Sequence, residues 1–127
     1  ENAILGKDII VNGDGSDWLD FTYIKDLING VVNVIENKSS INQIFNLTYG
    51  SARSISEMID ILKLDFPKIS IKKIEKDALM PDRGTLSIDK AKSLIGYNPE
   101  WSLERGYPEY IKWYKNLSEN NPEIMSL

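Results

Sequence analysis

Hydrophobic positions along this chain fall into short apolar runs and into longer stretches with helical spacing. Four of the short runs are rich in β-branched or aromatic residues and are bounded by turn-forming residues, which is typical of strands. The predicted strands are Ile9–Asn12, Asp20–Ile24, Gln43–Thr48 and Ile69–Ile74.

The first two predicted helices have clear N-terminal signals. An apolar stripe at helical spacing runs from Leu27 to about Glu36, and Asp26 precedes it as the predicted N-cap residue. Ser54 and Glu57 have the spacing of a capping box, in which each residue bonds the backbone amide of the other. A second helix is therefore predicted to begin directly after Ser54.

Two further helices are predicted near the C-terminus. Ala91, Leu94 and Ile95 mark a short one. The last helix is predicted to begin near Tyr107, because Pro108 then lies in the first turn, where its missing amide costs nothing. Alternation of short strands with about four helices predicts an α/β protein, and no linker-like stretch indicates an internal domain boundary.

Composition removes several function classes. The chain has 127 residues, a net charge of −4, no cysteine and no histidine. This excludes disulfides, thiolate zinc sites and catalysis by Ser-His-Asp or Cys-His arrangements within the chain. The acidic balance argues against a nucleic-acid partner, and no apolar run approaches membrane-spanning length. We expect no membrane association and a cytoplasmic location.

The two ends of the chain suggest how it is organised. Residues 1–6 have the pattern of a final helical turn stopped by Gly6, so we expect a fragment of a longer protein. Residues 1–117 are predicted to form one functional portion, and residues 118–127 a frayed tail.

The turn after the first predicted strand is the strongest candidate for a site. Gly13 and Gly15 flank Asp14 there, and glycine reaches positive φ without steric cost. Polar groups at the carboxyl end of a strand are where α/β proteins usually place ligands. On the residues alone, a hairpin-like turn followed by a structural helix is the favoured interpretation.

This turn and the residues after it resemble the G-D-G-S-x-x-R-D-F-x-Y-V-x-D segment of extended short-chain dehydrogenases/reductases. These are NAD(P)-dependent nucleotide-sugar epimerases and dehydratases. The chain departs from the segment at Leu19, where the family usually has an arginine. The matching residues are Gly13, Asp14, Gly15, Ser16, Asp20, Phe21, Tyr23 and Asp26.

Three more segments are similar to the family in the same order. Phe45–Gly50 followed by Ser54-Ile is similar to its Y-N-x-G-x-G-x-x-x-S-I segment, with Thr48 in place of a common glycine. The stretch from Pro81 to Pro99 is similar to its R-x-x-D-x-x-K-A-x-x-x-L-G-Y-x-P run. The closing helix is similar at Leu103, Gly106, Tyr110 and Trp113.

The resemblance implies the C-terminal, substrate-binding portion of a Rossmann-type enzyme. The family's G-x-x-G-x-x-G turn and Tyr-x-x-x-Lys pair are absent from these residues. We therefore expect no catalytic or cofactor-binding residue here, and no catalysis by the isolated chain. NAD or NADP would bind the N-terminal Rossmann portion of the same protein. The implied partners are that portion, a nucleotide sugar and, as a possibility, a second copy in a homodimer.

Arginine is the side chain best suited to a nucleotide diphosphate, because its planar fork meets two phosphate oxygens. Arg83 lies in an irregular Pro/Gly segment and fits the family's late phosphate-binding arginine; a salt bridge with Asp82 or Asp89 is the alternative. Three explanations stay open for the arginine missing at Leu19. Lys25 or Arg53 replaces it, the phosphates are held less tightly, or the substrate is not a conventional UDP-sugar.

The remaining candidates would contact the nucleotide. Asn12 and Gly13 could offer backbone groups to the base, and Phe21 or Tyr23 could flank it, although core packing is the plainer role for both aromatic residues. No metal site is expected, because the nearby aspartates lack the pattern of a calcium-binding loop. The candidate substrate-binding residues are Arg83, Asn12, Gly13, Phe21, Tyr23, Lys25 and Arg53.

Two function classes stay open at this stage. One is a portion of a nucleotide-sugar epimerase or dehydratase. The other is a non-catalytic module of the same fold that binds nucleotide sugars or dimerises. These residues do not specify the sugar, the base or the reaction outcome.

Overall fold

The computed structural model describes residues 1–126. Within them, four short strands alternate with four α-helices, which confirms the predicted α/β class. Short 3₁₀ helices cover Lys38–Ser40 and Pro122–Ser126. The main elements are β1 (Ile9–Asn12), β2 (Trp18–Leu19), α1 (Ile24–Glu36), β3 (Arg53–Ser54), α2 (Ile55–Asp65), β4 (Ile71–Ile74), α3 (Asp89–Ile95) and α4 (Leu103–Asn120).

The strands form two small sheets. β1 pairs with β4 in parallel, with Ile9 opposite Ile71, and β2 pairs with β3. Along β1, Val11 is buried whereas Ile10 is 60% exposed, which is the alternation expected of a strand with one covered face.

The chain divides into two compact units, each assembled from separate stretches. The first unit contains residues 1–17, 54–82 and 107–126, and the second contains residues 18–53 and 83–106. Because both units are discontinuous, no linker-like composition marks their limits in the sequence. Buried apolar residues of the first unit are Val11, Ile59, Leu62 and Ile111; the core of the second is Ile88, Ala91, Ile95 and Tyr97, with Val34, Phe45 and Leu47 against it.

The capping box is confirmed. The Ser54 hydroxyl accepts a hydrogen bond from the Glu57 amide at 3.1 Å, and the Glu57 carboxylate accepts one from the Ser54 amide at 2.7 Å. α2 begins at Ile55, directly after this cap. A purely local pattern of two side chains was sufficient to predict this helix start.

The predicted strand Asp20–Ile24 and the predicted cap at Asp26 are both wrong. Residues 20–23 form no strand, and β2 lies before them at Trp18–Leu19. α1 begins earlier than predicted, at Ile24, with Tyr23 as its N-cap residue. Asp26 lies inside the first helical turn and is almost fully buried. Its carboxylate accepts hydrogen bonds from backbone amides distant in sequence, which no local pattern indicates.

The predicted strand Gln43–Thr48 is not formed as a paired strand. Within the described chain, residues 44–48 take part in no backbone–backbone hydrogen bond. Phe45 and Leu47 nevertheless point inward and Ile44 is exposed, as in a strand. The segment has the side-chain alternation of a strand but has no partner strand in the part of the chain that the structure describes.

The predicted start of the last helix near Tyr107 is also wrong. α4 begins at Leu103, and Pro108 lies inside the helix. The Ser102 carbonyl accepts hydrogen bonds from the Arg105 and Gly106 amides, at 3.1 and 2.8 Å, so the first turn forms before the proline. The helical conformation continues through residues 118–120, so the predicted limit at residue 117 is not a break in secondary structure. Fraying of the tail stays a prediction, and Leu127 lies outside the described residues.

Candidate functional site

In the first unit, β1 leads into a tight turn closed against the start of α2. Gly13 and Gly15 have φ values of 77° and 88°, which side chains with a Cβ rarely allow. Hydrogen bonds from Ser16 to the Asp14 carboxylate hold the pKa of Asp14 below its usual value. A Cβ on Gly15 would lie 2.6 Å from Ser56 Oγ. The turn therefore needs glycine both for its backbone conformation and for this close approach.

The backbone around Asn12 and Gly13 is partly occupied. The Gly13 amide donates to the Ile74 carbonyl at 2.8 Å, which continues the β1–β4 ladder. That amide is not available to a nucleotide base, so the prediction for Gly13 rests on its carbonyl. Asn12 is exposed at the end of β1.

Lys76 binds two aspartates of the first unit. Its ammonium group donates to Asp17 and, at 3.0 Å, to Asp82. The hydrogen bond with Asp17, followed by that with Asp82, raises the pKa of Lys76. Since Asp82 is held by Lys76, it is not the salt-bridge partner that the sequence offered for Arg83.

In the second unit, Asp20 holds two loops. Its carboxylate accepts hydrogen bonds from the Gly50 amide at 3.0 Å and from the Leu86 amide at 3.2 Å. Two more hydrogen bonds join the same stretches, from the Ala52 amide to Thr85 Oγ1 and from the Asn46 side chain to the Ser87 carbonyl, at 2.8 and 3.0 Å. These contacts fix the position of residues 85–87.

Arg83 lies two residues before this fixed segment. It is exposed, and it has no ion-pair or hydrogen-bond partner among the residues that the structure describes. The other proposed acid, Asp89, accepts a hydrogen bond from Ser87 Oγ at 3.0 Å. The guanidinium of Arg83 therefore has no acidic partner within the described residues, and it lies on a loop two residues before the fixed segment 85–87.

Three cationic or aromatic side chains of the second unit contact the ring of Trp101. Lys25 Nζ lies 4.4 Å and Arg105 Cζ 3.9 Å from the centroid of its ring, and the Tyr23 ring lies 4.8 Å away. Cation–π contacts of this kind are attractive because the ring face is electron-rich. The Trp101 amide donates to Asp26 at 2.8 Å, which fixes the platform against the start of α1.

Arg53 is engaged within the second unit. Its guanidinium donates to Glu104 at 2.8 Å, to Ser51 Oγ at 3.0 Å and to the Ala52 carbonyl at 3.1 Å. The hydrogen bond from Arg53 lowers the pKa of Glu104 to about 2. Arg53 would have to give up part of this network to bind a phosphate.

The structure distributes the candidates between the units. Phe21, Tyr23, Lys25, Arg53 and Arg83 belong to the second unit, whereas Asn12 and Gly13 belong to the first. Phe21 and Tyr23 are both half-buried. The structure brings Tyr23 and Lys25 together on Trp101, and their binding roles, like those of the other candidates, stay predictions.

Sequence reasoning missed the residues that hold the candidates in place. Asp20 was recognised only as a match to a motif, and Asp26 as a motif match and a helix cap. Their partners lie far along the chain, from 30 to 75 residues away. No local spacing signals such contacts, although an acidic residue beside a glycine-rich turn is a reason to look for them.

Comparison with known proteins identifies similar chains. A family model described as the NAD dependent epimerase/dehydratase family matches residues 1–48. UDP-glucuronate 4-epimerase of Thermodesulfobacterium geofontis is 32% identical over 119 residues, which cover 89% of this chain. UDP-glucuronic acid decarboxylase 1 of Danio rerio is 30% identical over 119 residues and covers 93% of it.

Among solved structures, UDP-glucuronic acid 4-epimerase from Bacillus cereus is similar over 91% of this chain, with a TM-score of 0.83 and 29% identity. That protein was crystallised in complex with UDP-glucuronic acid and NAD.

The chain spans only about a third of the proteins it matches. It covers 35% of the T. geofontis epimerase, 28% of the D. rerio decarboxylase and 38% of the B. cereus epimerase. Within the described residues, no helix is both long and apolar enough to cross a lipid bilayer.

Proposed function

This chain belongs to the NAD-dependent epimerase/dehydratase family, and we propose that it is the C-terminal, nucleotide-sugar-binding part of such an enzyme. The observation that carries the proposal is Arg83, an exposed arginine with no partner in the described chain, beside a segment that Asp20 and its neighbours hold in place. A diphosphate needs such a donor, because a guanidinium binds two phosphate oxygens at once.

The fixed position of residues 85–87 favours a binding role, because it lowers the entropy cost of ligand binding. A loop that must be ordered when the ligand arrives loses conformational entropy, and this loss subtracts from affinity. Residues 85–87 are already ordered by three hydrogen bonds, to Asp20, Ala52 and Asn46. Arg83 would then need to order little more than its own side chain.

Each unit offers further candidates for contacts to a nucleotide sugar. Phe21 precedes the half-buried Tyr23, and both could present ring faces to a base or sugar. In the first unit, Asn12 and the Gly13 carbonyl lie at the carboxyl end of β1, where α/β proteins commonly bind ligands. Lys25 is a proposed replacement for the arginine that the family has at the position of Leu19.

The cofactor is proposed to bind elsewhere. The glycine turn of this chain lies between β1 and β2 and does not open a helix, so it does not fit a dinucleotide pyrophosphate. NAD or NADP, which would oxidise a sugar carbon and later return the hydride, is therefore assigned to an N-terminal Rossmann portion. The residues of this chain would bind and orient the sugar, and the proposed location of the protein is the cytoplasm.

Ligand titration of the full-length protein tests the proposal. UDP-, dTDP- and GDP-sugars are titrated by calorimetry into the wild type, Arg83→Ala and the control Lys92→Ala, an exposed cation on α3. We expect at least one class to bind, Arg83→Ala to weaken it by about tenfold or more, and Lys92→Ala to change it by less than about twofold. Equal affinity of wild type and Arg83→Ala, or no binding at all, would contradict the proposal.

A second experiment tests the division of labour. The 127-residue chain mixed with NAD⁺ and UDP-sugars is expected to give no epimerised, dehydrated or decarboxylated product. Turnover by this chain alone would show that the catalytic groups lie within it. Sugar binding by a full-length protein that lacks NAD binding would instead favour a non-catalytic module.

A further inference from the structure

Two cations of the second unit contact the same aromatic ring. Lys25 Nζ and Arg105 Cζ lie 4.4 and 3.9 Å from the ring centroid of Trp101, and both cationic residues are exposed. Because both distances are measured from one centroid, the two charges lie no more than about 8 Å apart. Like charges at this separation repel each other, and an anion that contacts both removes this repulsion.

Neither cation has an ion-pair partner among the residues that the structure describes. The nearby carboxylates are engaged elsewhere, since Asp26 accepts two backbone amides and Glu104 binds Arg53. Arg105 donates to the Glu100 carbonyl at 3.2 Å, but the Glu100 carboxylate forms no ion pair with a described residue. The second unit has seven basic and six acidic residues, so it does not repel anions as the net charge of −4 would suggest.

Both cations lie in the first turn of a helix. Lys25 follows the start of α1 at Ile24, and Arg105 follows the start of α4 at Leu103. The aligned peptide dipoles make the N-terminus of a helix partly positive, which disfavours cations there and favours anions. An anion at this place would therefore be stabilised by two side chains and by two helix ends.

Trp101 contributes a third donor. Its indole N–H makes no hydrogen bond with a described residue, and the nitrogen is not buried, so the N–H group faces solvent. The position of the ring is fixed, because the Trp101 amide donates to the buried Asp26 carboxylate at 2.8 Å and the Tyr23 ring lies 4.8 Å away. The cation–π contacts also order the two long cationic side chains, which lowers the entropy cost of binding an anion.

We propose that Lys25, Arg105 and Trp101 form a binding site for a phosphate group. One phosphate can accept hydrogen bonds of about 2.8 Å from cations on opposite sides of it, which together span about 8 Å. This span matches the limit on the separation of the two charges. The phosphate belongs either to the diphosphate of a nucleotide sugar or to free inorganic phosphate, and the site does not depend on the function proposed above.

Nuclear magnetic resonance of the full-length protein tests the site at the residue itself. Sodium phosphate is added at constant ionic strength, the indole N–H signals are followed, and Trp101→Phe assigns the signal of Trp101. Trp113, which is 55% exposed in the first unit, is the internal control. We expect the Trp101 signal to move with a Kd of about 1 mM or tighter and the Trp113 signal to stay in place.

Paired variants separate this site from general charge effects. Lys25→Met with Arg105→Met is expected to weaken phosphate binding by about tenfold or more, because it removes both charged donors. Lys38→Met with Lys92→Met removes two exposed cations from the same unit and should change the affinity by less than about twofold. Arg105→Lys keeps the charge and should bind within about threefold of the wild type.

Competition identifies the source of the phosphate group. If the source is a nucleotide sugar, the sugar nucleotide moves the same Trp101 signal and displaces free phosphate; if it is inorganic phosphate, both ligands bind together. Either result supports the site. An unmoved Trp101 signal, or equal phosphate affinity in the two double variants, would overturn the inference. The phosphate titration contains no sugar, so a failure of sugar binding contradicts the proposed function and leaves this site standing.

Discussion

The buried carboxylate of Asp26 holds two backbone amides that lie far from it in the sequence. Asp26 is 1% exposed and accepts hydrogen bonds from the Glu100 and Trp101 amides, at 3.0 and 2.8 Å. These amides precede α4 and carry the Trp101 platform. Without the carboxylate, both amides would be left without an acceptor in a site that water reaches poorly.

Replacement of Asp26 is expected to be costly. Asp26→Ala should lower the free energy of unfolding by about 3 kcal/mol, because two amides lose a charged acceptor. Asp26→Asn should cost about 2 kcal/mol, since it keeps one acceptor oxygen. Urea unfolding measures both. Asp60→Ala, at a carboxylate 72% exposed, is the control and should change stability by less than about 0.5 kcal/mol. An alanine variant as stable as the control would show that these hydrogen bonds do not support the fold.

Glu104 should give the protein part of its acid sensitivity. Its hydrogen bond from Arg53 lowers its pKa from 4.5 to about 2 in the folded state. A carboxyl with a depressed folded pKa contributes stability that is present above its unfolded pKa. That contribution is lost as the pH falls from about 4.5 towards 2, and solvent screening keeps it small because the side chain is 52% exposed.

Melting curves at several pH values check this prediction. The wild type and Glu104→Gln should differ most in melting temperature above pH 5 and should converge as the pH approaches 2. Glu119→Gln, an exposed residue of the same helix, should parallel the wild type throughout. Parallel curves for Glu104→Gln at every pH would mean that Arg53 does not stabilise the ionised carboxylate.

For single residues, the sequence indicated which positions matter more reliably than it indicated what their side chains contact. Asp20 and Asp26 were found through a motif, but Asp26 was interpreted as a helix cap. Its acceptor role depends on amides 74 and 75 positions away. Such groups come together only in the folded chain, so the spacing of residues along the sequence does not predict these hydrogen bonds.

Among the elements, α1 departs most from the ordinary amphipathic helix. Its buried side contains Gly30, and its large apolar residues point outward. Glycine is used there because Tyr97 and Leu47 approach the helix backbone closely. A Cβ at position 30 would lie 2.9 Å from Tyr97 Cε2 and 3.0 Å from Leu47 Cδ2.

Gly30→Ala is therefore expected to destabilise the protein even though alanine favours helices. Overpacking costs about 1–3 kcal/mol, and the gain in helix propensity returns about 1 kcal/mol. We predict a net loss of about 1 kcal/mol in urea unfolding. Gly84→Ala, where a Cβ meets nothing within 4 Å, should be neutral. A Gly30→Ala variant more stable than the wild type would show that the core relaxes around the added methyl group.

Elements with local signals were predicted well, and elements that need partners were not. The Ser54–Glu57 capping box set the start of α2 correctly. The segments 20–24 and 43–48 have strand-like composition, but only a paired neighbour makes such a segment a strand. For residues 43–48 that neighbour is absent from the described chain, so the segment keeps the side-chain alternation of a strand without its pairing.

For the molecule as a whole, the family was the most predictable property and the site the least. Four motifs in order were enough to predict an epimerase/dehydratase fold, and the family model matches residues 1–48. The site residues could not be predicted to the same depth, because the contacts that hold the candidates join stretches far apart in the sequence. Leu19 adds to this difficulty, because the family motif does not indicate which residue binds the phosphates when the arginine is missing.

The most direct test of the account is amide hydrogen exchange in the full-length protein, with UDP-, dTDP- and GDP-sugars and with NAD each added separately. If this chain holds the nucleotide sugar, the sugar nucleotide will slow exchange around residues 12–23 and 83–87, and NAD alone will leave those segments unchanged. Protection of the same segments by NAD alone, or no response to any sugar nucleotide, would contradict the claim.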